Sequence, residues 1–343
     1  MAPGLDPSAW RAWSATWDGA IVAGAPEFDT VGTVALFDAK SRRVDARNAV
    51  ALRRAERPLL WDPALARHLD VSSGAVFALP SDQEPEASES SAAISNNGSG
   101  TMARLLRPAS GAAMTLTVWH RSEAPSWTIA VDPVPAGAGV SVSPKGDVVA
   151  LLTVPRRDGP LTLTLLDSKT GSSRWRTESR LSIVAANSLR ELVAFSDDGA
   201  FVFVRGRLEN TKQLVFERRN IASATVDNEF IVNTPLADRN DTLLGIAGRH
   251  ARFGATNHSV SSHPLGPLGT DRREWWCELV EVDLGTGDRR FDTSLSDADY
   301  QRVFRSKATA DCATHALLRI MGATLLVRPS AEEVLLMSLP GPV

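Results

Sequence analysis

Residues 140–175, VSVSPKGDVVALLTVPRRDGPLTLTLLDSKTGSSRW, alternate short apolar runs with tight turn signals, and this density restricts the fold more than any other feature of the chain. Ser143-Pro144-Lys145-Gly146-Asp147 is turn material, with proline presetting its own φ and glycine free to take φ > 0. Val148 to Val154 follows as an apolar, partly β-branched run, of strand length and too short for an independent helix. Asp158-Gly159 is a hairpin-closing pair. Leu161 to Leu166 then alternates leucine with threonine at the period of a half-buried strand. Lys169-Thr170-Gly171 turns the chain again, and Arg174-Trp175 opens the outgoing strand. Strands joined by turns this tight form an antiparallel meander.

Comparable units of strand, polar turn and strand recur along the chain. Anchored at Asp38, Pro80, His120, Asp167, Glu217, Asp283 and Arg328, they are spaced by 40 to 50 residues, except for a gap of 66 between Glu217 and Asp283. That period is the size of a four-stranded propeller blade. An offset series supports it. Ser95-Asn96-Asn97-Gly98, Ser143-Pro144-Lys145-Gly146 and Ser196-Asp197-Asp198-Gly199 each follow a large apolar residue, Ile94, Val142 or Phe195. These turns resemble the S-P-D-G turn of WD40-like and related bacterial propellers. Asp167-Ser168-Lys169-Thr170-Gly171 and Asp283-Leu284-Gly285-Thr286-Gly287 resemble the D-x-x-T-G turn of quinoprotein-like blades. The resemblance implies an all-β fold: a single β-propeller over residues 20–343, seven-bladed, of four-stranded antiparallel blades, preceded by a Trp-bearing segment at 1–19. A ring of six or eight blades, or a pair of β-sandwiches, is the alternative. The Gly-His pair of a full WD40 repeat and the adjacent cysteines of quinoprotein dehydrogenases are both absent, so no cofactor is expected.

In the N-terminal segment Asp6-Pro7 reads as a helix start, and Trp10, Trp13 and Trp17 share one face of the helix it would open. That face is either a partner anchor or packed on the parent domain, and part of the segment also reads as strand. Of 343 residues, 43% are hydrophobic and 22% charged, as in ordinary globular chains, and a net charge of −3 supplies no basic field for nucleic acid. No apolar run is long enough for a membrane helix, and no basic run leads into an apolar stretch at the N-terminus, which predicts a cytoplasmic location. Two cysteines, Cys277 and Cys312, match no disulfide framework or zinc spacing and read as reduced, buried thiols.

Two stretches break the period. Residues 81–100 are rich in Ser, Glu and Asn and read as a solvated acidic loop. The second is RHARFGATNHSVSSHPLGPLGTDRREWWCE, residues 249–278, in the widest gap, which reads as a long functional loop. His250, His258 and His263 are spaced by eight and five residues with no accompanying ligand pattern, so no metal is assigned to them. Arg272, Arg273, Trp275 and Trp276, with His258 and His263 nearby, are the candidate partner-binding residues, because Arg and Trp concentrate binding energy at interfaces. Trp275 and Trp276 read equally as the start of a strand. There is no G-x-S-x-G, no P-loop and no dinucleotide fingerprint. The expected function is a non-enzymatic scaffold, a monomeric propeller that binds another protein within a complex. The alternative is a hydrolase or lyase, with or without a divalent metal, with its site in an axial funnel.

Overall fold

The computed structural model describes residues 12–15, 21–25, 31–38, 43–52, 59–78, 93–96, 98–106, 113–131, 137–154, 160–182, 193–196, 198–208, 214–232, 242–247, 250–261, 272–283, 289–291, 319–321, 324–330 and 333–338. Among them all regular structure is strand, and every pairing is antiparallel. Two compact units divide the chain, Met1–Val232 and Asn233–Val343.

The first unit holds four sheets. The first sheet runs in chain order through Ala12–Ala15, Ile21–Ala25, Val31–Asp38, Arg43–Ala51, Leu59–Asp62, Arg67–Asp70 and Val76–Ala78. Its fourth and fifth strands pair at Val50 with Trp61 and Ala51 with Leu60, and just past them the Leu52 N–H donates to Leu59 O at 3.1 Å. The second sheet comprises Ala93–Asn96, Thr101–Leu106, Met114–His120 and Trp127–Val131. The third comprises Gly137–Val142, Val148–Val154, Leu161–Asp167 and Ser173–Ser179, which is the meander read from residues 140–175. In the fourth, Leu181–Ser182 and Val193–Phe195 both pair with Phe201–Leu208, followed by Leu214–Asn220 and Val226–Val232. The second unit contains a fifth sheet of Thr242–Ala247, His250–Ser261, Arg272–Asp283 and Arg289–Phe291, and a sixth of Arg319–Met321, Thr324–Ser330 and Glu333–Ser338.

The run VVALLTV is continuously apolar because both faces of its strand are covered. Val148, Ala150, Leu152 and Val154 join Phe195, Val202 and Val204 of the fourth sheet in one core layer. Val149 and Leu151 join Leu105, Leu116 and Val118 of the second sheet in another. A third layer, including Trp61, Phe77 and Trp119, lies between the first sheet and the second. Sheets in the first unit therefore stack in chain order, face against face.

Glycine turns set the spacing of the stack. Gly146 (φ +72°) closes the Ser143 turn, its N–H donating to Ser143 O at 2.8 Å. A Cβ there would collide with Ser99 Oγ, in the first turn of the second sheet, and stand 2.5 Å from Thr101 Oγ1, at the start of that sheet's second strand. Gly199 (φ +69°) closes the Ser196 turn in the same way and lies against Pro144. The third member of the expected series differs. Ser95 and Asn96 remain in strand, and the left-handed residues there are Gly98 and Gly100.

One expectation is corrected. Residues Ala12–Ala15 form a strand paired with Ile21–Ala25, with Trp13 opposite Gly24, and not a helix. A helix this short is unstable alone, whereas the edge of a sheet offers partners to its backbone at once. Trp10 and Trp17 lie outside the described residues, as does most of the acidic stretch at 81–100.

Gly146→Ala and Gly74→Ala separate strain from crowding. Both glycines have φ +72°, but nothing lies within 4 Å of a Cβ at Gly74. Urea unfolding should show about 1–2 kcal/mol lost for Gly74→Ala, the left-handed backbone cost, and a clearly larger loss for Gly146→Ala. Equal losses would mean that the Gly146 contact does not set the sheet spacing.

Candidate functional site

Two places bring chemistry-bearing residues together. The first is a polar node between the second and third sheets. Thr101 opens the second strand of its sheet and His120 closes the third; Gly146 and Ser168 belong to turns of the next sheet. Thr101 Oγ1 and Ser168 Oγ both donate to the Gly146 carbonyl, at 3.0 and 2.7 Å. His120 Nδ1 lies 2.9 Å from Ser168 Oγ, 3.0 Å from Gly146 O and 3.2 Å from Thr101 Oγ1. Each hydroxyl has one proton and two acceptors within reach, the carbonyl and Nδ1, so the ring tautomer sets which way these bonds run.

A serine beside a histidine has the residue types of a nucleophile and its base. Here the geometry denies that role. Ser168 is fully buried and its hydroxyl lies 2.7 Å from the Gly146 carbonyl, closed off from any substrate. The node is a clasp between sheets.

Its surroundings repeat. Trp127 Nε1 donates to Ser168 O at 2.9 Å, and its indole packs on Gly171, where a Cβ would lie 2.9 Å from Cδ2. One sheet later Trp175 Nε1 donates to Ile221 O at 2.7 Å. The receiving turns share one geometry. The i+4 N–H returns to the carbonyl of Asp70, Asp167 or Asn220 from Gly74, Gly171 or Ala224, each with φ > 0. The Asp or Asn side chain accepts backbone N–H groups within the turn, as Asp167 does from Lys169 and Thr170 at 3.0 and 3.1 Å. Asp70-Val71-Ser72-Ser73-Gly74 and Asn220-Ile221-Ala222-Ser223-Ala224 are thus relatives of the D-x-x-T-G turn that lack its threonine. A further clasp joins the third and fourth sheets. The buried Glu217–Arg219 pair receives Ser179 Oγ–H on Glu217 and donates from Arg219 to Thr177 Oγ1 and Glu178 O.

The turn carboxylates are acidified. Burial raises the Asp167 pKa, but the hydrogen bond from Arg174 and those from Thr170 and Lys169 outweigh it and hold the carboxyl below its ordinary value. The Ser196 hydroxyl, then the Ala200 N–H, do the same for Asp198.

The second place is the fifth sheet, which contains most of the sequence-derived candidates. The stretch expected as a long loop is instead largely two twelve-residue strands, His250–Ser261 and Arg272–Asp283, paired throughout. Thr242–Ala247 flanks the first only from His250 to Gly254, and Arg289–Phe291 flanks the second only from Val280 to Val282. From Ala255 opposite Glu278 to Ser261 opposite Arg272, the two strands pair only with each other among the described residues. These seven pairs make a two-stranded ribbon about 24 Å long at ~3.4 Å per residue.

The ribbon sets His258 opposite Trp275, Val260 opposite Arg273 and Asn257 opposite Trp276. Strand alternation then assigns Arg273 and Trp275, with His258, to one face, and Arg272 and Trp276 to the other. Residues adjacent in sequence are dealt to opposite sides, while His258, remote in sequence, joins Trp275. His263 lies outside the described residues. Among the described residues no group of three or more His, Cys, Asp or Glu could hold a metal ion.

No family model matches the chain, and no curated protein matches it in sequence. Solved structures match in fold. An oligogalacturonate lyase in complex with manganese aligns with a TM-score of 0.51 at 11% identity, over 96% of this chain and 90% of that one. The Dos1 propeller aligns at 0.45 and 12% identity over 96% and 77% of the two chains. Hydrazine synthase of Kuenenia stuttgartiensis aligns at 0.43 and 11% identity, over 99% and 79%. Identities this low speak to fold alone. The succession of antiparallel meander sheets gives the chain its resemblance to WD40-like and quinoprotein-like β-propellers.

The acidified turns predict a pH signature. Their carboxylates stabilise the fold fully above the unfolded pKa of about 4, and that contribution is lost as pH falls through the lower folded values. An Asp167→Asn, Asp198→Asn double variant keeps an oxygen acceptor in each turn but no charge. It should be less stable than wild type at neutral pH, with the gap in urea midpoint narrowing toward pH ~3. A gap that stays constant with pH would refute the ionic contribution.

Proposed function

We propose that this chain is a non-enzymatic β-propeller scaffold that binds another protein through the ribbon of its fifth sheet. The observation behind this reading is the ribbon's departure from its own sheet: seven residue pairs extend past both flanking strands and hold Arg272, Arg273, Trp275, Trp276 and His258. A two-stranded ribbon is marginal in water by itself, and docking on a protein partner adds a further surface for it to pack on. Trp and Arg are also the residue types that dominate binding energy at protein interfaces. His263, five residues beyond His258 in sequence, belongs to the proposed patch on that ground alone.

The propeller itself has seven blades in this reading. The link between Arg43–Ala51 and Leu59–Asp62 is two residue pairs and the Leu52–Leu59 hydrogen bond, against seven pairs between the third and fourth strands, and taking it as a boundary divides the first sheet into a four-stranded and a three-stranded unit. With the five other sheets these make seven, the number spaced out in the sequence. The scaffold acts as a monomeric propeller within a complex in the cytoplasm, and its net charge of −3 gives no support to a nucleic-acid partner.

Affinity capture from an extract of the native cell, with bound proteins identified by mass spectrometry, tests the proposal. The full chain should retain a partner that a Trp275→Ala, Trp276→Ala variant retains at least about 30-fold less, the loss equivalent to ~2 kcal/mol of binding. Matching thermal unfolding of the two proteins would exclude misfolding as the cause. Equal recovery by both, or no partner on either, overturns the scaffold reading.

A further inference from the structure

The two faces of the ribbon are not equivalent, and their polarity reverses where the ribbon leaves the sheet. In the flanked part, Ala251 and Phe253 stand opposite Val282 and Val280, while the alternate pairs are His250 with Asp283 and Arg252 with Glu281. One face there is apolar and the other charged. Continued at period two, the apolar face becomes the ribbon face of Arg272, Glu274, Trp276 and Glu278, opposite Ser261, Ser259, Asn257 and Ala255. The charged face becomes that of Arg273, Trp275 and Cys277, opposite Val260, His258 and Thr256. The exchange occurs at the pair Gly254–Leu279, where the last flanking strand ends.

A strand covered along one face keeps its apolar residues on that face, because a change of side costs the whole pattern. A reversal therefore means that different surfaces cover the sheet and the ribbon. Charge separates the ribbon faces further. The face of Trp276 has one arginine and two glutamates. The face of Trp275 has Arg273 and no carboxylate, together with Val260 and the titratable His258. A face whose register positions hold an aromatic residue, an aliphatic residue and an arginine but no carboxylate matches a chain that offers apolar and acidic side chains together.

We propose that the face bearing His258, Arg273 and Trp275 is the docking face, and that it takes an extended acidic segment of the partner protein, with an apolar side chain beside Trp275 and a carboxylate at Arg273. This rests on the scaffold reading and adds the side of the ribbon and the chemistry of its occupant. An extended segment fits because the ribbon presents its residues at strand period, so alternate side chains of the partner meet alternate pairs.

The full chain is titrated against short synthetic peptides that alternate leucine with glutamate, and against the same peptides with lysine or glutamine in place of glutamate, by fluorescence anisotropy. The glutamate peptide should bind best, and more weakly as salt is raised. Arg273→Glu and Trp275→Ala should each weaken it at least about tenfold, and each by more than Arg272→Glu or Trp276→Ala does. The peptide preference and salt response are read on the wild-type chain, so a variant that fails to fold leaves the charge arm intact. Absence of glutamate-peptide binding, equal binding of the lysine peptide, or greater losses from the Arg272 and Trp276 variants each overturns the inference. Ribbon-dependent capture of a cellular partner alongside any of these would leave the scaffold standing with the wrong face or chemistry assigned. Loss of that capture removes the scaffold itself.

Discussion

The first unit depends on sheets that are apolar on both faces. Val148 to Val154 illustrates the constraint: alternate residues of one strand belong to two different cores, one shared with the sheet before and one with the sheet after. Such a strand exposes a hydrophobic surface unless a neighbour stands on each side. Antiparallel sheets in sandwiches escape this by leaving one face to water. Here the escape is to stack sheet after sheet, so the stability of each meander resides largely in its neighbours, as in other repeat architectures.

Packing of apolar faces sets no fixed angle or register by itself. The polar clasps supply that. Trp127 and Trp175 give the same indole hydrogen bond to the turn of the following sheet, and His120, Thr101 and Ser168 gather around one carbonyl at the same boundary. Each such bond contributes only about 1 kcal/mol net, yet an unmatched buried donor costs more than a matched one gains. A stack slipped by one register would strand several of these groups together. The clasps therefore act less as glue than as a penalty on every other arrangement, and the left-handed glycines, with no side chain, allow the turns to approach closely enough for the bonds to form.

The same economy decides how much of the chain could be read in advance. Residues 140–175 were legible because their turns are spelled with residues that few other conformations favour, Pro-Lys-Gly and Asp-Ser-Lys-Thr-Gly, and the strands found there agree closely with the runs between them. The equivalent turn at Asn220–Ala224 was hidden because alanine occupies the left-handed position, at φ +61°, and asparagine replaces aspartate. Its backbone geometry survives a change of letters. The N-terminal tryptophans misled for a different reason: spacings of three and seven suit a helix, but the pairing of Ala12–Ala15 with Ile21–Ala25 is decided by a neighbouring strand that no local pattern announces. The clasp at His120 joins residues 19 to 48 positions apart, too remote for any motif to display.

The ribbon combines both kinds of failure and shows why the candidate patch needed coordinates. Its first strand, HARFGATNHSVS, intersperses histidine, serine, asparagine and threonine with single apolar residues, a composition that resembles a loop. Read as a loop, Arg272 to Trp276 forms one cluster in which all the side chains could meet a single partner. Read as a strand, it forms two half-clusters on opposite sides, each completed by residues of the other strand, and no flat surface can engage both at once. Under the proposed scaffold function, a partner then either grips the ribbon from two sides or uses one half-cluster alone. The reversal of polarity at Gly254 and Leu279 is the ground for proposing the second, since the side of Trp275 gains apolar and cationic character where the described flanking strands end.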